Sequence, residues 1–190
     1  MTHLANWLPQ YDYSEHHELL IGADAAVVRR ALVDLDLGQV PLVRFLMTLR
    51  RLPAQIFAPA RTREHRSQSP GPRSGLMGLG GFALLADEPL EVVLGLTGRF
   101  WKLQGEVLPS DPATFRAPPP PGTARAALNF LLIPRPDGKT QVSTDTRILC
   151  ADDETRRIFG WYWRVIRLGS GATRVAMLRA LRTAAEGTNP

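Results

Sequence analysis

The chain has 190 residues, a formal net charge of +5 and a single cysteine, Cys150. At about 150 residues per domain this is one domain or one and a fraction, and with 44% hydrophobic and 22% charged residues it is not a disordered chain. One cysteine excludes an intrachain disulfide and a cysteine-based zinc site, and the sequence has no run of about 18 apolar residues that would cross a membrane as a helix.

The basic balance, with a pI near 10.1, invites a nucleic-acid reading. Its makeup argues otherwise. Among the 23 basic residues only Lys102 and Lys139 are lysine, and abundant Arg, Ala, Gly and Pro together are what GC-rich coding produces. A nucleic-acid partner is not expected. Met1-Thr2-His3-Leu4 has no basic start followed by an apolar stretch, so no secretory signal is expected. A reducing cytoplasm is the expected compartment, and a free cysteine agrees with it.

Residues 1–10 read as an N-terminal extension. Tyr13 to Ile21 mixes aromatic, apolar and His residues as an edge strand does. Asp24 is placed to cap a helix running to about Leu35, with Val27, Val28, Ala31, Leu32 and Leu35 at helical spacing. A second short helix is predicted from Pro41, with Leu42, Phe45, Leu46, Leu49 and Leu52 on one face and Pro53 beyond its end. Residues 58–75, rich in Pro, Ser, Gly and Arg, read as a long loop.

The middle of the chain reads as β. Gly81 to Ala86 and Glu91 to Trp101 form a hairpin pattern around Asp87-Glu88-Pro89. A second long loop spans 109–122 and contains Pro118 to Pro121, which favour extended backbone and cannot enter a helix interior or a central strand. Thr123 to Ile133 and Lys139 to Leu149 are two further strands around the Arg135-Pro136-Asp137-Gly138 turn. In the last, Val142, Thr144, Thr146 and Ile148 share one face, and Ser143, Asp145 and Arg147 the other.

Asp152 and Asp153 are N-cap candidates for a long terminal helix to about Glu186. Ile158, Tyr162, Val165, Ile166, Met177 and Leu181 give it an apolar stripe. Gly169-Ser170-Gly171 predicts a kink or break. From Thr155 to Ala185 there are seven Arg and no acidic residue, which reads as a solvated outer face or as a contact with an anionic surface. The elements together predict an α+β layer architecture in which the terminal helix covers one face of an antiparallel sheet.

Several chemistries are excluded by motif. No GxxxxGK[ST] or G-x-S-x-G occurs in the chain. Gly75, Gly78, Gly80 and Gly81 do not sit between a strand and a helix as a dinucleotide-binding turn requires. His16 and His17 are adjacent, so in a strand they face opposite ways, and His3 and His65 fall in extension and loop. No metal or cofactor is expected. Cys150 is followed by Asp152 and Asp153, which would not lower its pKa, so a structural role is expected for it.

Tyr11-Asp12-Tyr13-Ser14, Gly95-Leu96-Thr97-Gly98-Arg99-Phe100-Trp101, Ala127-Leu128-Asn129-Phe130 and Ser143-Thr144-Asp145-Thr146-Arg147-Ile148, in this element order, resemble the START-like helix-grip superfamily. This is the SRPBCC group of polyketide cyclases, lipid-transfer domains and birch-pollen-type allergens, and the likeness is to an uncharacterised bacterial branch. It covers about residues 11–186. It implies a curved antiparallel sheet wrapped around a long C-terminal helix, with two short helices after the first strand. It also implies a cavity for an apolar or amphipathic molecule, with the two long loops near its mouth.

Candidate ligand-binding residues are Arg99, Trp101, Asn129, Thr144, Asp145, Thr146 and Tyr162. Thr144 and Thr146 are inward candidates with Val142 and Ile148. Tyr162 carries a hydroxyl that needs a partner if buried. Arg99, Asn129 and Asp145 lie on neighbouring strands. Inside they would bind a carboxylate and supply a base; outside, Arg99 and Asp145 would be a cross-strand ion pair. The parity of Asp145 with Ser143 and Arg147 favours the outside. Three functions follow as expectations. The first is a carrier of a small apolar or amphipathic molecule. The second is a cyclase/dehydratase-type enzyme using Arg99, Asp145 or Tyr162. The third is an interaction protein binding an anionic surface through the Arg-rich helix.

Overall fold

A computed structural model describes residues 2–35, 82–102 and 106–187, leaving aside the side chains at 165, 166 and 168–170. The predicted helix from Pro41, the loop at 58–75 and the glycines at 75–81 lie outside the described residues. In chain order the elements are α1 (His3–Trp7), β1 (Tyr13–Ile21), α2 (Ala25–Asp34), β2 (Ala83–Glu88), β3 (Glu91–Arg99), β4 (Glu106–Leu108), α3 (Pro112–Arg116), β5 (Ala124–Pro134), β6 (Thr140–Cys150) and α4 (Asp153–Gly187).

The strands form one antiparallel sheet in the order β1-β6-β5-β3-β2, with β4 also pairing to β3. The β5–β6 hairpin closes through Gly138, whose φ of 75° is the left-handed conformation a non-glycine residue resists. Its N–H donates to Arg135 O at 3.2 Å. The architecture is α+β and helix-grip: the sheet holds the long terminal helix against one face.

α4 lies alongside β1 and runs in the same direction. The Tyr13 hydroxyl donates to Arg156 O at 2.9 Å near the start of the helix, and the Gly22 N–H donates to Glu186 Oε1 at 2.9 Å near its end. Asp152 caps α4 by accepting from Thr155 N at 2.7 Å, and it ties the preceding loop by accepting from Gly122 N at 2.7 Å. Those two backbone bonds, that from Gly122 first, hold its carboxyl below the usual range.

Four sequence expectations change. The helix is continuous from Asp153 to Gly187, with no break at Gly169-Ser170-Gly171. Gly171 instead marks a close approach: a Cβ there would stand 2.9 Å from Glu15 Oε1 and 3.3 Å from His17 Cε1. Ile158, placed on the buried stripe, is exposed, and Phe159 is the buried residue of that turn. The first ten residues carry α1, with Leu4 and Leu8 buried. The 109–122 stretch contains α3, nucleated by an Asp111–Thr114 capping box and anchored by fully buried Phe115. Pro118 to Pro121 do stay outside helix and strand.

α1 and α3 therefore cover part of the sheet face opposite α4. Leu4, Leu8, Leu85, Val93, Phe115 and Ala127 form a small core there. This is why β3 is buried along eight consecutive residues and reads as an apolar run without alternation. On the α4 side, one end of the interface is aliphatic: Val28 and Leu32 of α2 meet Leu128, Phe130, Val142, Met177, Leu178 and Leu181.

Candidate functional site

Strand alternation puts Tyr13, Glu15, His17, Leu19 and Ile21 of β1 on the face that α4 covers. Antiparallel register sets each against a β6 residue on the same face: Tyr13 against Ile148, Glu15 against Thr146, His17 against Thr144, and Leu19 against Val142. Three elements thus run through the same sequence of layers. Phe159 and Trp163 of α4 lie with Tyr13 at one end. Gly171 lies over Glu15 and His17 in the middle, and Met177, Leu178 and Leu181 pack at the other end.

The aromatic layer is built on Phe159, which is fully buried. Its ring centroid is 5.4 Å from Tyr13, 5.5 Å from Trp101 and Tyr162, 5.7 Å from Phe100 and 6.0 Å from Trp163. These tilted and edge-on contacts are the favoured ring geometries.

The middle layer is polar. His17 Nε2 lies 3.0 Å from Glu15 Oε1; the Glu15 side chain is 7% exposed and that of His17 24%. Glu15 Oε2 and Thr144 Oγ1 are buried and have no hydrogen-bond partner among the described residues. Arg174 is the cation of the layer: burial pulls its guanidinium down to about 10, opposed by the charge of Glu15, so it remains protonated at neutral pH. A buried polar atom without a partner costs about 1–3 kcal/mol. Two such oxygens, on diagonal neighbours of one strand pair, are hydrogen-bonding capacity that the described residues do not use. Two apolar layers enclose them.

The predicted site residues divide by face. Thr144 and Thr146 lie in the polar layer; Trp101 and Tyr162 lie in the aromatic one. Arg99, Asn129 and Asp145 lie on the opposite face, because each is an odd number of residues from an inward neighbour on its strand, Leu96, Leu128 and Thr144 in turn. Asn129 is fully buried there. Its Nδ2 donates to Glu91 Oε1 at 2.7 Å and its Oδ1 accepts from Asp145 N at 2.9 Å. The Glu91 carboxylate also accepts from His3 N at 2.6 Å and Leu4 N at 3.2 Å. This network pins α1 to the sheet. Asn129→Leu should leave the Glu91 carboxylate and the Asp145 N–H each a partner short and cost about 1–3 kcal/mol in thermal unfolding, with ligand retention unchanged.

Asp145 Oδ1 is 2.8 Å from His16 Nδ1, and that hydrogen bond is the main cause of a raised His16 pKa. Arg99 donates through Nε to Gly122 O at 2.9 Å and lies 3.3 Å from Glu106 Oε2. The cyclase/dehydratase reading asked two of Arg99, Asp145 and Tyr162 to converge on the interior; only Tyr162 lies on that side. Cys150 is buried, and burial together with nearby Asp12 pushes its thiol up to about 12, so it is not a thiolate at neutral pH. No group of three or more His, Cys, Asp or Glu that could hold a metal occurs among the described residues. Among them, no helix is long and apolar enough to cross a membrane.

Sequence reasoning passed over Glu15, His17 and Arg174. A signal was present: Glu15 and His17 share the parity of Tyr13, Leu19 and Ile21 in the first strand. The opposite facing of His16 and His17 bore there only on a shared metal site, and not on which of the two is inside.

No family model matches this chain, and no curated protein matches it. Solved structures resemble it in outline. The Zhui aromatase/cyclase from Streptomyces sp. R1128 is 16% identical over 92% of this chain and 93% of its own, with a TM-score of 0.33. TTHA0849 from Thermus thermophilus is 12% identical over 94% of this chain and 100% of its own, with a TM-score of 0.36. The di-domain ARO/CYC BexL from the BE-7585A biosynthetic pathway is 16% identical over 94% of this chain and 48% of its own, with a TM-score of 0.35. No activity passes from these likenesses to this chain.

Proposed function

We propose that the chain binds a small amphipathic molecule between the sheet and α4. Its polar end lies on Glu15 and Thr144, and its apolar body lies against the rings around Phe159. The observation that carries this reading is the pair of buried, unpartnered oxygens, Glu15 Oε2 and Thr144 Oγ1, beside a buried aromatic cluster. Specific small-molecule sites combine an apolar lining with a few polar groups in this way. Glu15 Oε2 calls for a donor, so a hydroxyl or enol on a flat apolar body fits better than a bare hydrocarbon. His17, whose Nε2 lies 3.0 Å from Glu15 Oε1, borders the same polar layer. The proposed function is binding, with no reaction assigned.

The test is native mass spectrometry of the purified protein for a co-purifying molecule, joined to fluorescence titration with 2-naphthol and naphthalene. The expected result is tighter binding of 2-naphthol. Thr144→Val should weaken it about tenfold. The same substitution should raise the stability of the free protein by about 1 kcal/mol, because it removes a buried hydroxyl that bonds to nothing. Equal affinity for the two probes, or naphthol binding indifferent to both Thr144→Val and Glu15→Gln, overturns the proposal.

A further inference from the structure

The outward side of α4 carries a second pattern that the interior site does not use. Trp161 is 68% exposed and Ile158 is 51% exposed, side by side near the start of the helix. Arg157, Trp161 and Arg164 are spaced i, i+4 and i+7, so they form one stripe, and the Arg164 guanidinium lies 5.0 Å from the Trp161 ring centre. Arg167, one turn further on, is also exposed. Beside this stripe is an open cleft of about 470 Å³ lined by Arg156, Arg157, Arg164, Trp161 and Tyr13, with one carboxylate, Asp153, which is paired with Arg156.

Counter-charges lie near the first turn: Asp12, Asp152, Asp153 and Glu154. Asp153 and Asp12 are paired with Arg156, and Asp152 is engaged in capping. These four carboxylates gather at the helix start beside Arg156 and Arg157, whereas the exposed Arg164 and Arg167 stand two to three turns further along, where α4 carries no acid before Glu186. An exposed indole and an aliphatic side chain set among arginines match the boundary of an anionic bilayer, where indoles settle at the headgroup level and guanidinium groups meet phosphates. A convex helix face with one exposed ring offers no row of stacking platforms for a nucleic-acid strand.

We infer that the Arg157–Trp161–Arg164 stripe of α4 docks the protein on an anionic phospholipid surface, with lipid phosphates seated in the arginine-lined cleft and Trp161 and Ile158 entering the headgroup layer. The inference is independent of the interior site, although a carrier of amphipathic molecules would use such a surface to collect or deliver them.

The test is co-sedimentation of the full chain with vesicles of phosphatidylcholine alone and of phosphatidylcholine mixed with phosphatidylglycerol. Binding is expected to the mixed vesicles only, and it should weaken as salt screens the charges. Each arginine near such a surface contributes roughly fivefold, so Arg157→Glu with Arg164→Glu should reduce binding by more than about 30-fold. Trp161→Ala should reduce it severalfold, and Arg157→Lys with Arg164→Lys should retain most of it. All these side chains are exposed, and an unchanged thermal midpoint identifies the variants as folded. Equal binding to both vesicle types overturns the inference, as does indifference to the charge reversal. So does displacement by inorganic phosphate beyond that caused by sodium chloride at the same ionic strength, which would assign the cleft to a soluble anion. An RNA oligonucleotide retained while vesicles are not, or a dimer abolished by Trp161→Ala with no vesicle binding, overturns it in favour of another partner.

Discussion

Phe159→Ala should lower the unfolding free energy by about 3–5 kcal/mol, the range for removing a large buried ring from a core that cannot collapse around the gap. Phe159 is fully buried and touches five other aromatic rings drawn from β1, the β3 end and α4. Those rings are fixed to separate elements, so they cannot close over the vacancy together. Urea unfolding followed by circular dichroism measures the effect. Trp161→Ala, two residues along on the outer face, is the comparison: an exposed position costs within about 0.5 kcal/mol. Equal losses at the two positions would contradict the packing of the aromatic layer. Phe159→Ala should also weaken 2-naphthol binding, because the ring that organises the apolar wall is gone.

Gly171→Leu should abolish interior binding. At this position even a Cβ would stand 2.9 Å from Glu15 Oε1 and 3.3 Å from His17 Cε1. The Glu15 side chain is buried and tied to His17, so it cannot simply swing aside, and a leucine would occupy the polar layer itself. Stability should change by less than the binding does. Overpacking costs about 1–3 kcal/mol, and replacing a mid-helix glycine recovers up to about 1 kcal/mol. Gly171→Ala is the milder form, with its helix gain set against displacement of the Glu15–His17 pair, and should leave the unfolding midpoint nearly unchanged. Titration with 2-naphthol beside a thermal melt separates the two effects. Full affinity in Gly171→Leu would place the ligand elsewhere. Vesicle binding should be unaffected, since Gly171 faces the sheet and the lipid-docking stripe faces away.

Much of the architecture was legible from local signals. The Arg135-Pro136-Asp137-Gly138 turn, the alternation of Val142, Thr144, Thr146 and Ile148, and the Asp24 and Asp152 caps each depend on a few neighbouring residues, and each appears where the pattern put it. The short elements were harder to see. α1 and α3 have five residues each, too few for periodicity, and they are stabilised by Leu4, Leu8 and Phe115 reaching a sheet face that lies far away in sequence. The choice of Ile158 over Phe159 as the buried residue shows the same limit. One position on a helix is about 100° of rotation, and only the sheet beneath decides which angle is inside.

The sequence by itself determined an α+β domain with strands in the middle and one long terminal helix, because hydrophobic period and turn chemistry are local properties of a chain. It also determined that Thr144 and Thr146 share a face, and that the charge concentrates as arginine on the terminal helix. The tertiary structure decided which face α4 covers, and with that the division of the polar residues. Asn129, Asp145 and Arg99 went to the face braced by α1 and α3. Glu15, His17, Thr144 and Arg174 came together under α4. Parity along one strand says only which residues are alike. Inside and outside are assigned when an element distant in sequence packs onto one face and removes it from water.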